Sequence, residues 1–221
     1  MRVTRLVLAM LAALLALPAI AGAKIIEVGD VGSRPTPSCP DSPCEVISRT
    51  TAYQTRIGDN RDFFVVPKDG RIVAWTISLG KPNTRQIDFF DSNYGEASAG
   101  LTILRRGKRL FHRVLGQSPI EKLQPYFGQK VQFPLTTSIP VKKGYVVGLT
   151  VPTWAPALTQ LLDNGSAWRA SRAKGKCDNT DTQTAQTRLQ QRTQYRCLYR
   201  AQLTYSATLI TDPKPNKKPK N

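Results

Sequence analysis

An all-β fold is predicted for this chain, an antiparallel β-sandwich of jelly-roll-like type with about eight or more strands and one short helix. Three observations predict it. Apolar and polar residues alternate over several short runs, Gly- and Pro-bearing turns separate those runs, and helical spacing is confined to one segment. In the run 71–79, Val73, Trp75, Ile77 and Leu79 share one face and Ala74, Thr76 and Ser78 lie opposite, the period of a half-buried strand. This places Trp75 in the core. Tyr145, Val147, Leu149 and Val151 repeat the pattern, with Gly148 and Thr150 opposite. The longest alternation runs from Cys197 through Tyr199, Ala201, Leu203, Tyr205 and Ala207 to Leu209, a register that cannot slip by one residue without turning its apolar face to water.

Shorter strands are expected at 46–50, 63–66, 101–104, 110–115 and 131–135. The turns Pro67-Lys68-Asp69-Gly70, Arg106-Gly107-Lys108 and Lys142-Lys143-Gly144 should join neighbouring strands as hairpins. The one helical signal lies at 156–164, where Leu158, Leu161 and Leu162 have helical spacing, Pro156 suits a first turn and Gly165 a C-terminal cap. Two polar connections interrupt the regularity, 81–98 and 172–194. Loops of such length are commonly functional or disordered, and the second, closed by cysteines near its ends, is the better binding candidate.

The N-terminus reads as a signal peptide. Arg2 and Arg5 precede an uncharged apolar run, 6–17, which is shorter than the ~20 residues a spanning helix needs. Ala21-Gly22-Ala23 then supplies the small residues of a cleavage site. The expected organisation is a signal peptide at 1–23, an extended N-terminal arm at 24–43, a β-sandwich domain at 44–211 and a disordered Lys/Pro-rich tail at 212–221. No cysteine follows the cleavage site for lipid attachment, and the tail has no apolar stretch for an anchor. The expected location is therefore secreted, extracellular or loosely associated with the cell envelope, with no transmembrane segment in the mature chain.

An exported chain with four cysteines favours two disulfides over thiol chemistry. Cys39 and Cys44 bracket a short Pro-bent loop and Cys177 and Cys197 flank a polar segment, so pairing is expected within each local couple. On a chain-entropy argument the longer closure contributes roughly 3 kcal/mol and the shorter about 2 kcal/mol. The 221-residue chain carries a formal charge of +17. In an exported protein that excess points to anionic polymers or polysaccharides outside the membrane, with nucleic acid not expected as a partner.

No stretch matches a catalytic, metal or cofactor motif, and no cofactor is expected. His112 shares a strand face with Leu110 and Val114 and lacks an identifiable carboxylate partner. Ser118 fails the nucleophile-elbow pattern because Ile120 stands where Gly is required. Asp88, Asp91 and Glu96 could serve a glycoside hydrolase or hold calcium, although the spacing departs from the helical calcium loop. Trp154, held between Pro152 and Pro156, and Trp168 are candidate sugar-stacking platforms. With the cations of the disulfide-closed loop they make the candidate binding set Trp154, Trp168, Arg172, Lys174, Lys176, Arg188 and Arg192.

The phrases 67–75, 141–156 and 195–199 together resemble uncharacterised exported β-sandwich proteins of actinobacteria. That resemblance implies export and a β-sandwich and brings no activity or site residues. The leading expectation is a non-catalytic protein attracted to anionic polymers. A carbohydrate-active or other hydrolase using the acidic loop, and a structural or protein-partner-binding module, are the alternatives.

Overall fold

The computed structural model describes residues 22–29, 36–159, 165–178 and 183–213. Nearly all of the expected signal peptide lies outside these residues. So do 30–35 of the arm, 160–164 of the expected helix, 179–182 of the polar loop and 214–221 of the tail.

Two antiparallel sheets form the sandwich. The smaller has the order β1 (Ile25–Val28), β14 (Tyr205–Thr211), β3 (Gly70–Ser78) and β7 (Lys130–Val141). The larger, curled into a half-barrel, runs β11 (Arg192–Gln194), β5 (Phe111–Gln117), β4 (Ser98–Arg106), β8 (Val146–Ala155), β2 (Ile47–Arg56), β10 (Ala167–Ala170) and β12 (Cys197–Tyr199). The short β6 (Glu121–Lys122) pairs with β4, and β9 (Leu158–Thr159) pairs with β13 (Gln202–Leu203). Apolar side chains from the inner faces fill the space between the sheets. Trp75, Ile77, Tyr205 and Leu209 of the smaller sheet belong to one buried cluster with Leu101, Ile103, Val147 and Leu149 of the larger. The Tyr205 hydroxyl donates to the Val147 carbonyl at 3.0 Å, tying the layers together. The layers come close together at Gly116, since a Cβ there would meet the Ile139 side chain of the opposite sheet at 2.4 Å.

Both disulfides form as the local couples Cys39–Cys44 and Cys177–Cys197. The strands expected at 71–79 and 145–151 are present as β3 and β8, and the Arg106-Gly107-Lys108 turn joins β4 to β5 as a hairpin. Other expectations need correction. The arm is part of the sandwich, because Ile25–Val28 pairs with β14. Residues 63–66 contribute one isolated bridge, Val65 to Val146, and pair toward β8, so the Pro67–Gly70 turn closes no hairpin with β3. The Lys142–Gly144 turn carries the chain from β7 in one sheet to β8 in the other.

The long alternating run breaks into β12, β13 and β14, passing from the larger sheet through the β9 pair to the smaller sheet. Polar positions Gln202, Thr204 and Ser206 are enclosed too: Thr204 donates to the Ser78 carbonyl at 2.6 Å, and Ser206 and the half-buried Thr208 both donate to the Glu27 carboxylate. Partnered polar side chains can be buried, which is why alternation of polarity here is not alternation of exposure.

The helix also lies elsewhere. Leu158 and Thr159 are extended, whereas the expected connection at 81–98 contains α1 (Thr84–Tyr94). Asn83 caps its start by accepting from the Gln86 N–H, while the Gln86 side chain accepts from the Asn83 N–H, a reciprocal capping box. Gly95 at φ +89° ends it, in a region that L side chains seldom adopt. Ile87, Phe90 and Tyr94 lie on the face packed against the core cluster. Among the described residues no helix is long and apolar enough to cross a membrane.

Candidate anion-binding face

Residues 98–120 contain five cations and no carboxylate, and residues 183–211 contain four more cations, again without a carboxylate. The first stretch supplies β4 and β5, and the second supplies β11 on the sheet's edge. Register then concentrates the charge. Arg105 lies directly opposite Arg113, and Arg113 directly opposite Arg192, so three guanidinium-bearing residues share one face across three strands. Neighbouring strands are about 4.8 Å apart. Like charges placed this way destabilise a sheet by on the order of a few tenths of a kcal/mol per pair.

Local partners soften that repulsion without neutralising it. Arg192 lies over the Phe111 ring, its guanidinium carbon 4.4 Å from the centroid, and Arg113 donates to the Gln190 side-chain carbonyl at 3.4 Å. None of the three makes an ion pair among the described residues, unlike Lys122, whose ammonium is 2.8 Å from the Glu96 carboxylate. Arg106, Lys108 and Arg109 extend the positive region around the β4–β5 hairpin, and all three are exposed. The arrangement presents fixed, unneutralised cations at a regular spacing, which suits a repeating anion.

The cysteine-closed loop supports this face. Instead of a wholly solvated middle, it lays Ala185 and Gln186, 7% and 1% exposed, over the outer side of β2 and β8. The Gln186 N–H donates to the Thr51 hydroxyl at 2.9 Å, and its carbonyl accepts from Gln117 at 2.6 Å. Thr51 bonds Thr150 at 2.9 Å, and Thr150 bonds Thr102. This polar chain covers Thr150, while Tyr53, Leu104, Val114 and Tyr195 cover Val146, so β8 is buried on both sides from Val146 to Val151. It also fixes the chain that leads into Arg188 and Arg192.

The seven residues of the sequence-derived binding set divide. Arg188 and Arg192 are exposed at the cationic face, and Lys174 and Lys176 are exposed beside Cys177. Trp154 needs correction as a stacking platform: it is fully buried, with its indole N–H donating to Asp91 at 2.8 Å and its ring against Phe90 and Phe127. The flanking prolines hold it inward, under α1. Trp168 and Arg172 are 4% and 5% exposed, which rules out their service as open surface contacts in this conformation. They come together in a separate cleft. Sequence pattern alone does not single out Arg105 and Arg113. The available signal was the carboxylate-free stretch at 98–120, and only strand register turns it into a row.

The acidic residues do not assemble into a catalytic pair. Both Asp91 oxygens accept hydrogen bonds, from Trp154 and from Gln124 at 2.6 Å, which fastens α1 to the sandwich. Glu96 is paired with Lys122, and Asp88 is exposed on α1. His112 is buried between Tyr53 and Tyr195, each ring centroid 4.8 Å away, and its Nδ1 is 3.1 Å from the Leu110 carbonyl. Burial lowers its pKa to about 4, against the smaller upward pull of that carbonyl and with help from Arg106 and Arg169. Among the described residues there is no group of three or more His, Cys, Asp or Glu side chains placed to hold a metal ion. No family model, curated protein or solved structure matches the chain.

Proposed function

We propose that the protein is an exported, non-catalytic binding protein that associates with an anionic polymer of the cell envelope or extracellular matrix through the face made by β4, β5 and β11. The observation that carries this reading is the Arg105–Arg113–Arg192 row, three directly opposed cations on strands without a carboxylate. A sheet that keeps such a row sacrifices some stability, and a polyanion laid across it relieves the repulsion. The two disulfides and the signal-like N-terminus support export.

The test is retention on immobilised polygalacturonate. Neutralising the row with Arg105→Gln, Arg113→Gln and Arg192→Gln should weaken binding by roughly tenfold or more while leaving the melting temperature unchanged or slightly higher. Neutralising Arg71, Lys81 and Lys130, all exposed and on or just beyond strands of the smaller sheet, should weaken it far less. Binding by the parent should fall steeply with salt, since charges more than ~8 Å apart are largely screened at physiological ionic strength. Equal losses in the two triple variants would reduce the effect to net charge, and undiminished binding by the arginine variant would reject the face.

A further inference from the structure

A second site lies away from the arginine row, in a cleft of about 390 Å³ bounded by β2, α1, β10 and β12. We infer that this cleft binds a small organic monocarboxylate with an apolar body, its carboxylate received by Arg172 and its body by the aromatic wall around Trp168.

Arg172 carries the argument. Its side chain reaches the cleft from the segment after β10, and it is held by donation to the Ser48 carbonyl at 3.0 Å, the Tyr199 hydroxyl at 2.6 Å and the Cys177 carbonyl at 3.4 Å. Those are neutral acceptors. No carboxylate pairs with this buried guanidinium among the described residues, and its Nε–H has no acceptor. Buried charges are ordinarily paired, and a guanidinium edge is matched in shape to a carboxylate. Trp168 supplies an independent observation: its indole N–H is likewise shielded from water and has no acceptor among the described residues. Two donors without acceptors therefore belong to residues lining the same cleft; both are closed to water in this conformation, so an anionic oxygen would reach them through a small shift of these side chains.

The walls select the rest of the ligand. Trp168 stacks on Tyr199, the centroids 4.5 Å apart and the planes 26° from parallel, and Arg172 lies over the same Tyr199 ring at 5.4 Å. Phe90, Ile47 and Leu158 add apolar surface. Glu45 and Arg200 also line the cleft with opposite formal charges, so the net charge is that of Arg172 alone. One cation suits a monoanion better than phosphate or a polyanion. The volume falls in the range of small-molecule sites, roughly 300–1,000 Å³.

The experiment uses the intact protein and follows its tryptophan indole N–H signals by ¹⁵N NMR during titration with phenylacetate. The Trp168 signal is expected to move saturably while that of Trp75, on β3 of the smaller sheet and outside the cleft lining, stays in place. Phenylacetamide, which keeps the ring and loses the charge, should bind at least tenfold more weakly. Glucuronate and inorganic phosphate should also be weak. Arg172→Lys is expected to reduce phenylacetate affinity by about tenfold, and Tyr199→Phe, which retains the stacked ring, by less. The arginine-row variant should bind phenylacetate like the parent, so failure of either site is read separately. A stationary Trp168 signal at millimolar phenylacetate, or equal binding of the acid and the amide, would overturn the inference without requiring any variant to fold. Equal responses to phosphate and phenylacetate would overturn the assignment of an apolar monocarboxylate.

Discussion

Trp154→Ala is expected to destabilise the protein by about 4 kcal/mol, in the range of large aromatic truncations in a packed core. The indole is fully buried at the end of β8, against Phe90 of α1 and Phe127. Its removal opens a cavity and leaves one oxygen of Asp91 without its donor. Because Asp91 and Phe90 both belong to α1, the loss should concentrate there. Amide hydrogen exchange in 84–94 should accelerate more than in β3 or β14, whose pairing lies in the other sheet. Trp154→Phe keeps most of the packing and loses the bond, with an expected loss of about 1 to 2 kcal/mol. Urea unfolding of the three proteins measures both effects. Polygalacturonate binding by folded Trp154→Ala should match the parent, since the arginine row lies on other strands. An unchanged unfolding midpoint together with lost binding would mean that the ring faces outward and serves as a ligand platform.

The same tryptophan shows where the sequence was legible and where it was not. Strands β3 and β8 could be read because apolar residues recur at every second position, and the two disulfides because each cysteine has a near partner. The inward position of Trp154 depends on a helix in a stretch whose composition reads as a polar loop. Ile87, Phe90 and Tyr94 have the spacing to face a core, and Asn83 with Gln86 spells a capping box, but the intervening residues are mostly polar and no side chain of α1 is fully buried. At 158–159 the opposite happened: the helical reading of these two residues lost to pairing of Leu158 and Thr159 with β13. Local pattern reports which side chains can share a face, whereas partner strands decide which backbone they adopt. The cationic face has the same character. Its residues and missing carboxylates are visible in one dimension, but Arg105, Arg113 and Arg192 become neighbours only through two antiparallel registers.

Acidification from pH 6.5 to pH 4 is expected to remove about 3 kcal/mol of stability through His112 alone. In the unfolded chain an imidazole takes up its proton near pH 6.5, whereas the folded protein holds His112 neutral until about pH 4. Between those values the unfolded state binds more protons, so stability falls as pH falls; below about pH 4 both states are protonated and this contribution ends. The cause is structural. The ring is 3% exposed among Tyr53, Tyr195 and the β4–β5 pairing, and its Nε2 has no hydrogen-bond partner to stabilise an imidazolium. Arg106, directly opposite on β4, and Arg169 on β10 add repulsion. His112→Phe keeps a ring of similar size and removes the titration. Urea unfolding of parent and variant at pH 7.5, 6, 5 and 4 isolates the effect, because the remaining carboxylates titrate in both. The parent should lose about 3 kcal/mol more than the variant over that interval, with most of the divergence between pH 6 and pH 4. Parallel pH profiles would show that the imidazole can accept its proton in the folded protein, and the His112 environment would then have to be open to water.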